Sequence, residues 1–376
     1  MRTRTRLAAA GGVGVAAAAL LAGPAQASPS GDHDSTRPVF VAANDPAGNS
    51  IAVYDRHANG TLTAAGRYAT GGRGGILDGS VVDHLASQGA LTYDRDHGLL
   101  YAVNAGSNTL TLFAVHGDRL QRLQVIGSGG TFPVSVAVHG NLIYVLNARN
   151  GGSIQGFLRL GDVLVRVPSW NRALGLDPNA TPEFTSTPGE VAFTPSGDRL
   201  IVTTKANGNQ IDVFNLDRLG RPSSAPVVTP DPANVPFAVA FDRTGRIDVA
   251  EAGPNAVASF VLHRDGHLTL VGRTATGQAA TCWIVSTGAQ VYADNAGSGT
   301  VSSFDVTPSG LASRATTPTN GGTIDATLTG DGHNLYVQTG ATGTVDEFTV
   351  SPDGSLTAIG SVTVPGTVGG EGIASA

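Results

Sequence analysis

Leu100-Tyr-Ala-Val-Asn104, a four-residue turn, and Thr109-Leu-Thr-Leu-Phe113 form the stretch that decides the fold. The first run is apolar and closes on a polar residue. The turn, Ala105-Gly-Ser-Asn108, is built from small and turn-forming residues. The second run alternates polar and apolar residues, the period-two pattern of a strand with one face buried. Together they predict two antiparallel strands joined by a short turn.

The same unit recurs six more times. Val39-Phe-Val-Ala-Ala-Asn44 precedes Ser50-Ile-Ala-Val-Tyr54, and Leu142-Ile-Tyr-Val-Leu-Asn147 precedes Ser153-Ile-Gln-Gly-Phe157. Leu200-Ile-Val-Thr-Thr-Lys205, Arg246-Ile-Asp-Val-Ala-Glu251, Gln290-Val-Tyr-Ala-Asp-Asn295 and Asn334-Leu-Tyr-Val-Gln-Thr339 each lead into a run ending in Phe. The closing residues lie at 44, 104, 147, 205, 251, 295 and 339, mostly 43 to 46 apart. A repeat of this length is one four-stranded propeller blade. A further strand follows each Phe or Tyr run, as in Asp353-Gly-Ser-Leu-Thr. Another precedes each unit, as in Val239-Ala-Phe-Asp-Arg-Thr-Gly245. The expected fold is therefore all-β: a seven-bladed β-propeller of four-stranded antiparallel blades, with strands A to D numbered from the axis outward.

The ends of the repeat fit a closed ring. The first unit enters at a B strand, and Gly370-Glu-Gly-Ile-Ala-Ser375 reads as an A strand with no B strand after it. Pairing of the last strand in the first blade removes an exposed sheet edge. Two intervals are long, and both extra segments, about 71–88 and 168–189, are D-to-A connections. In an antiparallel blade these connections emerge at the same end as the B-to-C turns, so a site is expected at that end of the channel.

Arg2, Arg4 and Arg6, an apolar stretch from Leu7 to Leu21, and Ala25-Gln-Ala27 read as a secretory signal peptide over residues 1–27, cleaved before Ser28. Residues 28–37 are expected to be a flexible tail and 38–376 the propeller. The predicted location is outside the cell, without membrane attachment and as a monomer. Of 23 Lys and Arg, three leave with the leader and none of the 29 acids does, so the mature chain carries a net charge of −9. An acidic chain does not suit non-specific nucleic-acid binding. One cysteine, Cys282, excludes an internal disulfide.

Aligning the A strands places Ala90, Ser135, Glu190, Ala238, Trp283, Asp325 and Gly372 in one register around the axis, with Gln88 and Glu371 nearby. Glu190 and Glu251 are candidate bases for water activation, and Lys205, the only lysine, is the candidate catalytic cation. Arg149, Gln88, Asn104, Asn147, Asn295 and Asp325 are candidate substrate-binding groups at the same mouth. Arg149 and Lys205 suit an oxyanion or a carboxylate. The same charges could instead pair with one another and neutralise a crowded channel. Asp83 and His84 in the first insertion could cap the channel. No cofactor is predicted. Ca²⁺ among the channel oxygens is the one ion the residue types would suit, and no spacing suggests zinc.

Phe193-Thr-Pro-Ser-Gly-Asp-Arg-Leu-Ile-Val-Thr203 and Asp353-Gly-Ser-Leu-Thr357 resemble the seven-bladed propeller lactonases, which include propeller-type 6-phosphogluconolactonase and the carboxymuconate cyclases. Segments such as Asn104-Ala-Gly-Ser-Asn108 and Gln278-Ala-Ala-Thr-Cys-Trp283 resemble an exported bacterial branch. The resemblance spans nearly all of residues 38–376. It implies a secreted lactonase-like hydrolase acting on a small lactone or carbohydrate-derived ligand. The alternative is a non-enzymatic propeller that binds a ligand or protein through the insertion-bearing face. An enzyme should bring Glu190, Lys205 and Glu251 together. A binding module should show those charges already paired.

Overall fold

The computed structural model describes residues 37–376. The expected leader and almost all of the expected flexible segment lie outside the described residues. Seven sheets stand around one axis. In blade one, Val39–Ala42 pairs with Ser50–Arg56, which pairs with Leu62–Ala69, and Ile373–Ser375 lies innermost against Val39–Ala42. The register Val39↔Ser375, Phe40↔Ala374, Val41↔Ile373 closes the ring as the sequence predicts. Blades two to seven start at Leu91–Asp94, Pro133–His139, Val191–Phe193, Pro236–Phe241, Thr281–Ser286 and Thr323–Leu328. Blade three has a short D strand, Val163–Arg166, and the second insertion returns as Arg172–Ala173 to pair beside it.

The repeat's aromatic residues explain the radial packing. The C strands bury Phe113, Phe157, Phe214, Phe260, Phe304 and Phe348, and the B strands bury Tyr101, Tyr144, Tyr292 and Tyr336. Each ring fills the space between one sheet and the next, and full burial of a side chain of this size is worth roughly 1.5–3 kcal/mol. Three of the tyrosines also tie neighbouring blades. Tyr144, Tyr292 and Tyr336 donate to the carbonyls of Gly220, Gly354 and Gly60, at 2.6, 3.0 and 2.7 Å. Those glycines turn between the C and D strands of the next blade. Gly354 has φ +84°, and a Cβ there would lie 2.4 Å from Gln290, so both backbone angle and space require glycine.

The apolar residue that pairs with the C-strand aromatic lies four residues before the residue that closes each unit. Leu100↔Phe113 leads to Asn104, Ile247↔Phe260 to Glu251, and Leu200↔Phe214 to Thr204. This corrects the repeat alignment in two blades. Thr204, not Lys205, is the equivalent of Asn104 and Glu251, and Ala43, not Asn44, closes the first unit. Lys205 and Asn44 sit one residue later, both with φ just above +50°, and Lys205 opens a short helical turn, Lys205–Gly208. That single step redirects the lysine side chain.

Candidate active site at the channel mouth

The end of the first insertion plugs the axis. Ser87 Oγ lies 2.9 Å from both the Val134 carbonyl in blade three and Glu371 Oε1. Gln88 Oε1 accepts the Ile284 N–H from blade six at 2.8 Å, and its Nε2 donates to Glu190 in blade four at 3.3 Å. Trp283 Nε1 donates to the Ser87 carbonyl at 2.5 Å. The A-strand register thus does bring Gln88, Glu190, Trp283, Asp325 and Glu371 to one place.

These acids are sealed from water, and burial shifts them upward because a charge loses its hydration. Glu190, which accepts the Val239 N–H at 2.7 Å, is pushed up to about 8. Asp325 accepts the Ala326 and Ile373 N–H groups and is pushed up to about 7. Burial also raises Asp294, both of whose carboxyl oxygens lack a partner among the described residues. Asp83 and Glu371 face each other as a carboxyl pair, and burial raises both. Asp83 Oδ1 accepts the Leu85 N–H at 3.0 Å, whereas Oδ2 meets no N–H or O–H donor. Two facing carboxyls attract only when one carries a proton, so burial and mutual repulsion favour a proton shared between them.

Lys205 is 1% exposed and reaches from blade four under both insertions. Its Nζ donates to the Ala86 carbonyl at 2.5 Å, the Phe184 carbonyl at 2.6 Å and Thr187 Oγ1 at 3.1 Å. All three ammonium protons are therefore used. Burial pulls its pKa down to about 8, opposed chiefly by the negative charge of Asp83. Asp83, expected only as a cap, is the acid whose charge acts most strongly on the lysine.

The other expected groups do not join this cluster. Glu251 is fully buried but is gripped by Arg273, through Nε and through Nη2–Oε1 at 2.8 Å, with Asp231 on the same guanidinium. Arg149 makes a two-point ion pair with Glu183 of the second insertion, at 2.6 and 2.9 Å, and lies over the Phe132 ring. Asn104 is absorbed in its own turn, donating to Thr111 at 2.8 Å and accepting from Asn49 at 3.0 Å. Asn295 does the same with Thr281 at 2.6 Å and Ser302 at 3.0 Å. Asn147 occupies the same turn position, but Gln155 replaces the hydroxyl residue, and its amide has no partner among the described residues. The expected meeting of Glu190, Lys205 and Glu251 is thus not observed. His84 packs over Gly369 at the rim, with its pKa lowered by burial.

Calcium does not fit this arrangement. The oxygens of Glu190, Asp325 and Glu371 are occupied by protein donors, and among the described residues no three acidic, His or Cys side chains gather to hold a metal. No described helix is long and apolar enough to cross a membrane.

Beside the plug lies a cavity of about 490 Å³, within the usual range for small-molecule sites. Asp83, Lys205, Phe237, Cys282 and Trp283 all line it. The Cys282 thiol is pushed up to about 12 by burial, which leaves it a packing group rather than a nucleophile. Asn255 also lines the cavity; its carbonyl oxygen accepts the Thr281 N–H, and its NH₂ donates to no described group.

No protein-family model matches the sequence, and no curated protein matches it. Solved structures do match. A candidate 6-phosphogluconolactonase from Bacteroides fragilis superposes with a TM-score of 0.70 at 20% identity, covering 90% of this chain and 98% of that one. A Lactobacillus plantarum protein gives 0.72 at 20% identity, covering 89% and 98%. The periplasmic gluconolactonase of Pseudomonas aeruginosa gives 0.66 at 17% identity, covering 88% and 97%. At such identities the likeness is one of fold. The chain is a seven-bladed β-propeller whose structural neighbours are propellers described as 6-phosphogluconolactonase and gluconolactonase.

Proposed function

We propose that the protein is a lactonase-like hydrolase that opens a small lactone in the Asp83–Lys205 cavity. The observation that carries this reading is Asp83, set beside Lys205 on the wall of a cavity of ligand size and backed by the buried carboxyl of Glu371. A pair holding one proton contains both a base and an acid. Its ionised carboxylate takes a proton from water as the water oxygen bonds to the lactone carbonyl carbon. The acyl C–O bond then breaks, and a carboxyl proton passes to the departing ring oxygen. One water and one lactone give one hydroxy acid. The charge on Lys205 keeps the pair from binding a second proton, and its bond to the Ala86 carbonyl fixes the insertion that carries Asp83. The free NH₂ of Asn255 is a donor for the lactone carbonyl. Glu190, protonated at neutral pH, and the Arg149 and Glu251 ion pairs hold the walls.

The test is a panel of γ- and δ-lactones followed by acid release. Asp83→Asn keeps size and shape but cannot accept the proton, and a fall in turnover of roughly a hundredfold or more is expected for loss of a general base. Unchanged turnover would remove Asp83 from the chemistry. One observation favours a binding protein instead: Lys205, Arg149 and Glu251 are all already satisfied by protein partners. That reading predicts saturable ligand binding with no turnover in wild type.

A further inference from the structure

Resting on the lactonase reading, we infer that the substrate is a lactone bearing an apolar side chain, not a polyhydroxylated sugar lactone. The inference comes from what the cavity offers. Its lining includes Val235, Phe237, Ala252, Ala280, Trp283 and Ala296, together with Val81, which is 80% exposed. Phe237 and Trp283 pack at 4.9 Å between ring centroids and form a continuous aromatic wall. The indole N–H is spent on Ser87, so this wall presents carbon.

The polar groups at the cavity are nearly all spent as well. Lys205 has used three donors, Ser80 Oγ donates to the Asp83 carbonyl, and Thr185 Oγ1 donates to the Pro182 carbonyl at 3.2 Å. What the described lining leaves for a ligand is the Asp83 carboxyl, one half of the pair with Glu371, and the Asn255 NH₂. Those two suffice for one ester group and its attacking water. They cannot also satisfy the hydroxyls of a sugar lactone. Each hydroxyl buried without a partner weakens binding by roughly ten- to a hundredfold. Nor, among the described residues, does the lining offer a free cation for a phosphate, because its one cation, Lys205, is saturated. A chain of methylenes, by contrast, gains about fourfold in affinity per group buried. The cavity therefore selects by removing carbon from water, with a single polar end that aligns the ester.

The experiment uses the whole protein and two ligand sets. Turnover is measured on γ-butyrolactone, its 4-alkyl derivatives of increasing length, and glucono-δ-lactone. Binding is measured by calorimetry with the matching 5-alkyl-2-pyrrolidinones, whose amide resists hydrolysis. Affinity is expected to climb about threefold to fourfold per methylene, and kcat/KM with it. Ala252→Leu, which narrows the apolar wall, should lower affinity for the longest ligand more than tenfold, and an unchanged affinity would overturn the inference. Affinity independent of chain length, or a preference for glucono-δ-lactone, would overturn the inference. If the sugar lactone is turned over in an Asp83-dependent way, the hydrolase reading survives and this one fails. If the lactams bind with the chain-length gain but no lactone is opened, the ligand class stands and the hydrolase reading fails.

Discussion

Glu190→Gln should flatten part of the protein's pH–stability profile. In an unfolded chain this carboxyl titrates near 4.5, and in the sealed axis it is held up to about 8. Between those values the unfolded chain binds fewer protons than the native protein. Stability therefore falls as pH rises, by about 1.4 kcal/mol per pH unit from this group. From about pH 5.5 to pH 7.5 the wild type loses roughly 2.7 kcal/mol through Glu190 alone. Glutamine keeps the oxygen that accepts the Val239 N–H but cannot ionise. Its NH₂ will face the Nε2 of Gln88, which cannot turn over without abandoning the Ile284 N–H. That conflict costs about 1 kcal/mol, so the variant should be slightly weaker than wild type at the acid end and stronger at the alkaline end. Equilibrium urea unfolding, followed through the buried Trp170 and Trp283, gives both free energies. Parallel profiles, agreeing within about 0.5 kcal/mol over this range, would mean that Glu190 ionises freely. The description of the axis as sealed would then be wrong.

Lys205→Met leaves two buried carbonyls without their donor, and stability should fall by about 2–4 kcal/mol. Hydrogen exchange should rise in residues 76–88 and 183–189 and stay unchanged in blades six and seven; a uniform rise would refute the idea that the lysine ties the insertions. Because burial lowers Lys205 from 10.5 to about 8, its unfolded form binds more protons between those values, so wild-type stability gains with pH there and the variant should lack that gain. Export is checked by sequencing the N-terminus of protein from the culture medium, where the first residue should be Ser28.

The blades, the ring closure and the end that carries the insertions were legible because a repeat reports its own errors: seven copies constrain each other. The register of Gln88, Glu190 and Asp325 followed from A-strand alternation. The misplacement of Lys205 arose from aligning on the last polar residue of Leu200-Ile-Val-Thr-Thr-Lys205. Counting four residues from the partner of the C-strand aromatic, Leu200 opposite Phe214, would have found Thr204. Pairings such as Glu251 with Arg273 and Arg149 with Glu183 had no such signal. They join residues 22 and 34 positions apart through side-chain reach, which periodicity does not encode. Asp83 was likewise hidden, because an insertion present in one blade has no copies to align.

The short strand Ile373–Ser375 sets the order in which the molecule can be completed. Every other blade can assemble from contiguous chain as it is made. Val39–Ala42 must wait, its inner edge unpaired, until more than three hundred further residues have been synthesised. A premature stop or a C-terminal nick would thus injure the beginning of the propeller as much as its end, and a cell would gain from holding the polypeptide extended until translation is over.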